Sequence, residues 1–202
     1  AGKTTVTLTL WALLRARSKV NKLLVVAPKS AFEAWADVEP GAVFDNAPVS
    51  SVFSGGVIST KVEILVCNYE QLESDDRVRR FTDWILRNDA MVVLDEAHRV
   101  KGGGASVRWK GCAQLTAVAR RVDLLTGTPM PHSFNDLANL FSLSWPQVSK
   151  SLMTEHFLSS LPTGSVFVRT TKSELGLPPV VLRIEPIEMG ELQSQVYSAL
   201  RK

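Results

Sequence analysis

Short apolar runs alternate with amphipathic segments along most of this chain. The runs have the length and the branched aliphatic side chains of buried strands, and the amphipathic segments space their apolar residues three or four positions apart, as helices do. The predicted strands are 22–27, 49–53, 62–67, 91–94 and 122–125. The predicted helices are 4–17, 77–86 and 105–120. Strands that alternate with helices in this order predict an α/β fold, with a mostly parallel sheet covered by helices on both faces.

Local signals mark where some of these elements begin and end. Pro28 ends the first strand, and Ser30 with Glu33 three residues later predicts a capping box at the start of a short helix that runs through Trp35. The glycines at 102–104 predict a flexible turn before the next helix. A chain of 202 residues is long enough to bury the core of one such domain.

Composition excludes some classes of protein and leaves others open. No segment approaches the roughly twenty apolar residues of a membrane-spanning helix, so we expect no membrane partner. The formal net charge of +3 permits a nucleic-acid partner without demonstrating one. Cys67 and Cys112 lack the spacing of metal ligands and lie in apolar stretches, which predicts buried free thiols in a reducing compartment.

The first residues have the composition of a phosphate-binding loop. Gly2-Lys3-Thr4 matches the last three positions of the motif G-x-x-x-x-G-K-[ST], whose backbone N–H groups hold phosphates at a helix N-terminus. Lys3 can carry its charge to the β- and γ-phosphates, and the Thr4 hydroxyl is a suitable ligand for Mg²⁺. Ala1, Gly2, Lys3, Thr4 and Thr5 are therefore the candidate nucleotide-binding residues. Because the first glycine of the motif is missing, we expect the chain to be a fragment that begins within the loop.

A pair of acidic residues follows the apolar strand 91–94. Asp95, at the end of this strand, can hold the same Mg²⁺ directly or through water. Glu96 would then be placed to orient and activate the attacking water. The sequence therefore predicts a nucleotide-hydrolysing site with Lys3, Asp95 and Glu96 as catalytic residues and with a nucleoside triphosphate and Mg²⁺ as its ligands.

A group of small and hydroxyl residues follows the last predicted strand. Thr126-Gly127-Thr128 ends at Pro129, which cannot continue a sheet. In an open α/β sheet the carboxyl ends of the strands form the ligand-binding edge. Together with His98, these three residues are candidates for coupling the state of the γ-phosphate to a movement of the protein.

Several longer segments carry the motifs of a known family. They are Val25 to Ser30 with Trp35, Val66 to Leu72, Leu94 to Lys101, Leu124 to Ser133, Asp136-Leu137 with Leu140-Phe141, and Arg169, Leu177 to Pro179 and Gln195 with Tyr197. These segments, which span nearly the whole chain, resemble the SNF2 family of superfamily 2 ATPases. The resemblance implies a RecA-like P-loop lobe at 1–170, followed at 171–202 by a passage toward a second RecA-like lobe of the same protein.

The resemblance also implies an activity. Proteins of this family are DNA-dependent ATPases that track along duplex DNA without necessarily separating its strands, so ATP, Mg²⁺ and duplex DNA are the implied ligands. Pro28, Lys29, Ser30 and Tyr69 would lie near one DNA strand and contact its phosphates. A first lobe alone would lack the arginine that the second lobe supplies, and we expect it to hydrolyse ATP hardly at all.

Two other functions remain open from the sequence. RNA and DNA helicases of neighbouring superfamily 2 groups share the P-loop and the acidic motif, and stimulation by RNA or strand separation would indicate one of them. The other is a non-catalytic nucleotide-binding scaffold, although the presence of Lys3, Asp95 and Glu96 argues against it. We expect an intracellular protein, and the absence of long charged insertions favours a bacterial or viral protein of the cytoplasm or nucleoid over a nuclear one.

Overall fold

A computed structural model describes the chain at residues 2–38, 43–100, 103–127, 134–148, 150–160 and 189–200, and at the single positions 168, 174, 176, 183 and 185. The chain divides into two units, Ala1–Ser160 and Leu161–Lys202. The predicted boundary at residue 170 stays a prediction, because most residues between 161 and 188 lie outside the described part.

The described part of the first unit is built on a five-stranded sheet whose strands are all parallel. The strands are β1 Leu23–Val26, β2 Ser50–Val52, β3 Ile64–Cys67, β4 Met91–Asp95 and β5 Arg121–Leu125. Their order across the sheet is β2-β3-β1-β4-β5. The predicted parallel sheet is therefore confirmed, and each predicted strand is found within two residues of its expected bounds.

Helices accompany this sheet along the chain. In the first unit they are α1 Lys3–Ala16, α2 Phe32–Ala36, α3 Asp75–Arg87, α4 Val107–Val118, α5 Phe134–Ser144 and α6 Glu155–Ser160, and the second unit contains α7 Glu191–Leu200. The long helices predicted from periodicity correspond to α1, α3 and α4, whereas α5, α6 and α7 were not predicted. Within the described ranges, no helix combines the length and the apolar character needed to cross a membrane.

Side chains of the central strands alternate between two hydrophobic clusters, one on each face of the sheet. Leu24 of β1 belongs to the first cluster, which also contains Phe81 of α3. Its neighbour Val25 belongs to the second, which contains Trp11 of α1 and Trp35 of α2. Because both faces are covered, β1, β3 and β4 are buried along their whole length, as parallel strands usually are.

The strand register aligns the carboxyl ends of the strands at one edge of the sheet. Val26 of β1 lies opposite Cys67 of β3 and Leu94 of β4, and Asp95 lies opposite Leu125 of β5. The segments that follow β1, β3, β4 and β5 therefore begin at the same edge, where open α/β sheets bind their ligands.

The predicted capping box at Ser30 and Glu33 was wrong. Lys29–Ala31 forms a 3₁₀ turn, closed by a hydrogen bond of 2.8 Å from the N–H of its last residue to the carbonyl of Pro28. α2 follows at Phe32 without a side-chain cap. The extended backbone of the proline leads straight into the turn, so Ser30 lies inside the turn and not at a helix start.

A capping box does occur after β3. The backbone N–H of Gln71 donates to Asn68 Oδ1 at 2.9 Å, and the side-chain oxygen of Gln71 accepts the N–H of Asn68 at 3.0 Å. These bonds fix the start of the 3₁₀ helix Tyr69–Glu73. The sequence did not predict this element, because five residues are too few to show a helical period.

The turn predicted at 102–104 is partly described. Gly103–Ala105 forms a 3₁₀ turn, and residue 102 lies outside the described part. The helix after it, α4, begins two residues later than predicted, because Ser106 is its N-cap and accepts the backbone N–H of Trp109.

Cys67 and Cys112 are the buried free thiols that the sequence predicted. Both lie in the first hydrophobic cluster. Burial raises the pKa of Cys67 far above its ordinary value and raises the pKa of Cys112 to about 12. Both thiols are therefore protonated at neutral pH.

α4 packs against the 3₁₀ helix Tyr69–Glu73 through a glycine. A Cβ placed on Gly111 would lie 2.6 Å from the backbone carbonyl oxygen of Leu72 and 2.9 Å from its Cβ. Such separations are shorter than real contacts, so any side chain at this position forces the two elements apart.

Gly111→Ala is therefore expected to lower the free energy of unfolding by about 1–3 kcal/mol, the usual cost of overpacking. The direction of this change in stability is informative, because alanine in a helix interior is otherwise favoured over glycine by roughly 1 kcal/mol. Gly104→Ala is the control, since a Cβ there meets nothing within 4 Å. Urea unfolding of both variants makes the comparison, and a Gly111→Ala protein as stable as the wild type would contradict the close contact.

Candidate functional site

Asp95 ends β4 at the ligand-binding edge and is buried, with 7% of its surface exposed. Its Oδ2 accepts the indole N–H of Trp35 at 3.0 Å, and its Oδ1 accepts the backbone N–H of Glu96 at 2.9 Å. The hydroxyl of Tyr69 donates to the backbone carbonyl of Asp95 at 2.6 Å. These hydrogen bonds hold the residue from α2, from its own strand end and from the 3₁₀ helix after β3.

Glu96 follows with a left-handed backbone, at φ 51°. This conformation is sterically costly for a residue with a Cβ, and such residues concentrate at functional sites. Both carboxylate oxygens have a partner: Lys3 Nζ lies 2.6 Å from Oε1, and His98 Nδ1 lies 3.2 Å from Oε2. The strand end and the N-terminus of α1 therefore meet at Glu96.

The N-terminus of α1 supplies positive charge and the N–H groups of its first turn. Gly2 is the N-cap, at φ 80°, and has no side chain to accept from the first turn, which contains no acidic residue. The first N–H groups of a helix have no partner within it, and the helix dipole is positive at this end. Lys3 adds a full charge 4.0 Å from Asp95 Oδ1. The arrangement can bind an anionic group such as a phosphate.

The surroundings of Glu96 decide its ionisation. Partial burial alone raises the pKa of Glu96, but the hydrogen bond and charge of Lys3, together with His98 and the backbone N–H of Gly127, outweigh burial and hold the pKa below its usual range. Glu96 is therefore a carboxylate at neutral pH, the form that can orient a water molecule and accept its proton.

The predicted coupling residues lie between the ends of β4 and β5. His98 Nδ1 is 3.2 Å from the hydroxyl oxygen of Thr126, and the N–H of Gly127 donates to the carboxylate of Glu96. The structure thus brings three of these residues together around the acidic pair, and Thr128 lies outside the described residues. Their role in coupling stays a prediction.

The residues expected near DNA separate into two groups. Lys29 and Ser30 are exposed in the 3₁₀ turn after β1. Pro28 is buried, and Tyr69 is 1% exposed, with its hydroxyl bonded to Asp95. Burial raises the pKa of Tyr69, so the hydroxyl keeps its proton and acts as a donor. The Tyr69 side chain is thus used inside the protein, and the expected position of Tyr69 near DNA stays a prediction.

The nucleotide-binding candidates are only partly described. Thr4 is partly exposed and Thr5 is exposed in the first turn of α1, whereas Ala1 lies outside the described residues. Thr4 and Lys3 share the helix N-terminus with the charges around Glu96. Their contacts with a nucleotide or a metal stay predictions.

Trp35 is a motif residue whose contact with the acidic site was not predicted from the sequence. Its spacing predicts a place in a short helix, but nothing in the pattern shows that its indole N–H reaches a carboxylate sixty residues later in the chain. The available signal was its position, just after a strand that ends at the ligand-binding edge.

Curated relatives match this chain but are much longer. An ISWI chromatin-remodeling complex ATPase of Arabidopsis thaliana is 27% identical over 227 residues, which cover 98% of this chain and 21% of that protein. The DNA excision repair protein ERCC-6-like of Danio rerio is 35% identical over 106 residues, covering 50% of this chain and 7% of that protein. The chain thus spans about a fifth or less of the length of these relatives.

A solved structure shares the fold. The Sulfolobus solfataricus SWI2/SNF2 ATPase core in complex with dsDNA matches with a TM-score of 0.57 and 22% identity, over 78% of this chain and 32% of that one. At this level of identity the similarity concerns the fold alone. It confirms the RecA-like α/β architecture expected from the sequence.

The expected source of the protein was wrong. The chromatin-remodeling and excision-repair relatives come from eukaryotes, among them Arabidopsis thaliana, Mus musculus and Danio rerio. Nothing in the comparisons favours a bacterial or viral cytoplasm over a nucleus. The expectation failed because this chain matches a small share of those proteins, so a lack of charged insertions within it says nothing about the remainder.

A family model covers the chain from end to end. The model of the SNF2-related domain matches residues 1–202, a range that includes Lys3, Asp95 and Glu96. The motifs, the fold and this match agree. The chain belongs to the family of SNF2-related domains.

Proposed function

We propose that this chain is the nucleotide-binding lobe of an SNF2-type ATPase that couples hydrolysis of Mg²⁺-bound ATP to movement on duplex DNA. The observation that carries the proposal is the 2.6 Å contact between Lys3 and Glu96, which joins a helix N-terminus to an acidic strand end 93 residues later. Membership of the SNF2-related family supports it, as does the similar fold of an ATPase core solved in complex with dsDNA.

The oxygen atoms near Lys3 fit a Mg²⁺-bound triphosphate. Mg²⁺ prefers hard oxygen ligands and, in nucleotide sites, takes only one or two of them from the protein. The Thr4 hydroxyl and the Asp95 carboxylate are ligands of this kind. Each Asp95 oxygen accepts one hydrogen bond and retains a lone pair for a metal or its water. Bound Mg²⁺ would neutralise charge on the transferred phosphoryl group.

Lys3 can link the binding of ATP to the ability of the Glu96 carboxylate to act as a base. Its ammonium group donates to Oε1 of Glu96, and the phosphates of ATP would compete for that same group. Once Lys3 turns to the phosphates, Oε1 is free to accept from the attacking water while His98 still holds Oε2. We infer that substrate binding itself releases Glu96 for catalysis.

The same site can pass its state to the rest of the protein. His98, Thr126 and Gly127 surround Glu96, so a change at the carboxylate would shift the contacts of Thr126 and Gly127 at the end of β5. A second RecA-like lobe of the same protein would close on this edge and supply an arginine for the transition state. Repeated closure would move the protein along duplex DNA that is held near Lys29 and Ser30.

Lys3→Met is expected to lower the free energy of unfolding by less than about 1 kcal/mol at neutral pH, since Lys3 and Glu96 are 37% and 33% exposed. Pairing with Lys3 lowers the pKa of Glu96. The stabilisation of the folded state by this pair is therefore complete above the ordinary pKa of 4.5, and it is lost as the pH falls through the lowered pKa. Urea unfolding across this range measures the difference. Lys19→Met, which removes the same charge from an exposed position, is the control. If the free energy of unfolding of Lys3→Met still differed from that of the wild type below the lowered pKa of Glu96, the result would contradict the pairing.

Glu96→Gln preserves the size of the side chain and removes the base. In the full-length protein it should leave ATP binding in place and slow hydrolysis by about 10²–10⁴-fold. ATP hydrolysis is measured without nucleic acid and with duplex DNA, single-stranded DNA or RNA. Duplex DNA should stimulate hydrolysis by the wild type and should not stimulate it in Glu96→Gln. Undiminished turnover by the variant would refute the role of Glu96. Preference for RNA or single strands would indicate a helicase, and a protein that binds no ATP would be a scaffold.

Lys29→Ala in the full-length protein should weaken duplex binding roughly several-fold whatever the DNA sequence, because a lysine in this turn would contact phosphates. Loss of one phosphate contact should reduce the slope of log K against log salt by about 0.9. Lys61, also exposed, precedes β3 at the opposite edge of the sheet, so Lys61→Ala is the matched control. Equal losses of DNA affinity in Lys29→Ala and Lys61→Ala would contradict binding of DNA at the carboxyl ends of the strands.

A further inference from the structure

We propose that Trp35 is a positioning residue whose indole N–H fixes the Asp95 carboxylate in the orientation required for Mg²⁺ binding. The inference rests on the proposed function. It extends the site to a residue that belongs neither to the phosphate-binding loop nor to the acidic pair.

The indole and the carboxylate meet away from solvent. Trp35 is 0% exposed and Asp95 is 7% exposed, and the two are joined by the 3.0 Å hydrogen bond from Nε1 to Oδ2. A hydrogen bond to an ionised acceptor is stronger than one between neutral groups. Water cannot easily replace a donor at a buried site, so loss of this N–H would leave Oδ2 without its partner.

The two oxygens of Asp95 have different surroundings. Oδ1 accepts the backbone N–H of Glu96 and lies 4.0 Å from Lys3 Nζ, which makes it the oxygen near the candidate phosphate site. Oδ2 is held by Trp35. A partial rotation of the carboxylate would break both hydrogen bonds, so the indole fixes the carboxylate plane in which one oxygen lies near Lys3.

Other buried tryptophans show that the fold does not require an indole N–H to be paired. Trp11 is 0% exposed and lies in the same hydrophobic cluster as Trp35, yet its Nε1 has no hydrogen-bond partner among the described residues. The same holds for Trp84, which is 7% exposed. The pairing of Trp35 with Asp95 is therefore a property of the site and not a general need of the core.

Trp35→Phe in the full-length protein keeps a buried aromatic ring and removes the donor. Loss of a hydrogen bond to a metal ligand typically weakens metal binding or activity 10–100-fold. We expect the Mg²⁺ concentration for half-maximal ATP hydrolysis to rise about 10-fold or more. The affinity for a fluorescent ATP analogue should fall in Mg²⁺ and stay unchanged in EDTA, a difference that a merely structural role would not produce.

Trp11→Phe is the matched control. It makes the same chemical change in the same cluster, at an indole whose N–H binds nothing among the described residues. It should lower Tm and leave the Mg²⁺ requirement unchanged. Should Trp35→Phe fail to fold, 3-benzothienylalanine at position 35 makes the same test, because it replaces the N–H by sulfur and keeps the bicyclic shape.

The outcomes separate this inference from the function on which it rests. An unchanged Mg²⁺ requirement after loss of the donor at position 35, or an equal change in Trp11→Phe, would overturn the inference and leave the ATPase assignment intact. A wild-type protein that bound the ATP analogue equally well in Mg²⁺ and in EDTA would overturn the Mg²⁺ site, and both proposals with it.

Discussion

Parallel pairing of β1 with both β3 and β4 aligns the carboxyl ends of the strands at one edge of the sheet. Since a parallel sheet is buried on both faces, its helices must cover two hydrophobic clusters, and the loops at the strand ends remain to carry polar groups. Much of the candidate site follows from this constraint. Asp95 ends β4 and Glu96 follows it, Thr126 and Gly127 follow β5, and Trp35 lies in the helix after β1. The location of the site therefore follows from the pairing of the strands and does not depend on its polar contacts.

Charge balance within the site then limits what it can bind. Adjacent carboxylates repel each other, and nearby positive charge or hydrogen-bond donors must offset the repulsion. Here one ammonium group, that of Lys3, lies 2.6 Å from Glu96 and 4.0 Å from Asp95, while neutral N–H groups donate to the Asp95 carboxylate. Because the carboxylates of Asp95 and Glu96 share one lysine, the site can accept further positive charge. This fits a substrate that arrives as an anion together with a divalent cation.

Local signals explain what could be predicted from the sequence. Apolar runs are enough to locate buried strands, and alternation with helices is enough to indicate a parallel sheet, so the fold and the position of the acidic pair were accessible. The contact between Trp35 and Asp95 was not, because it depends on how α2 packs against the sheet, sixty residues away along the chain. The hydrogen bond from Tyr69 to the backbone of Asp95 could not be predicted for the same reason. The capping box failed although Ser30 and Glu33 have the right types and spacing, because the chain first enters a 3₁₀ turn.

The two buried thiols make the folded chain nearly inert to cysteine reagents. Such reagents attack the thiolate, and Cys67 and Cys112 are protonated and out of contact with solvent. They are the only cysteines among the 202 residues. A cysteine introduced at an exposed position such as Val57, which is 98% exposed, would therefore take up a maleimide dye almost alone. Fluorescence from that dye could then report movements of this chain without prior removal of Cys67 and Cys112.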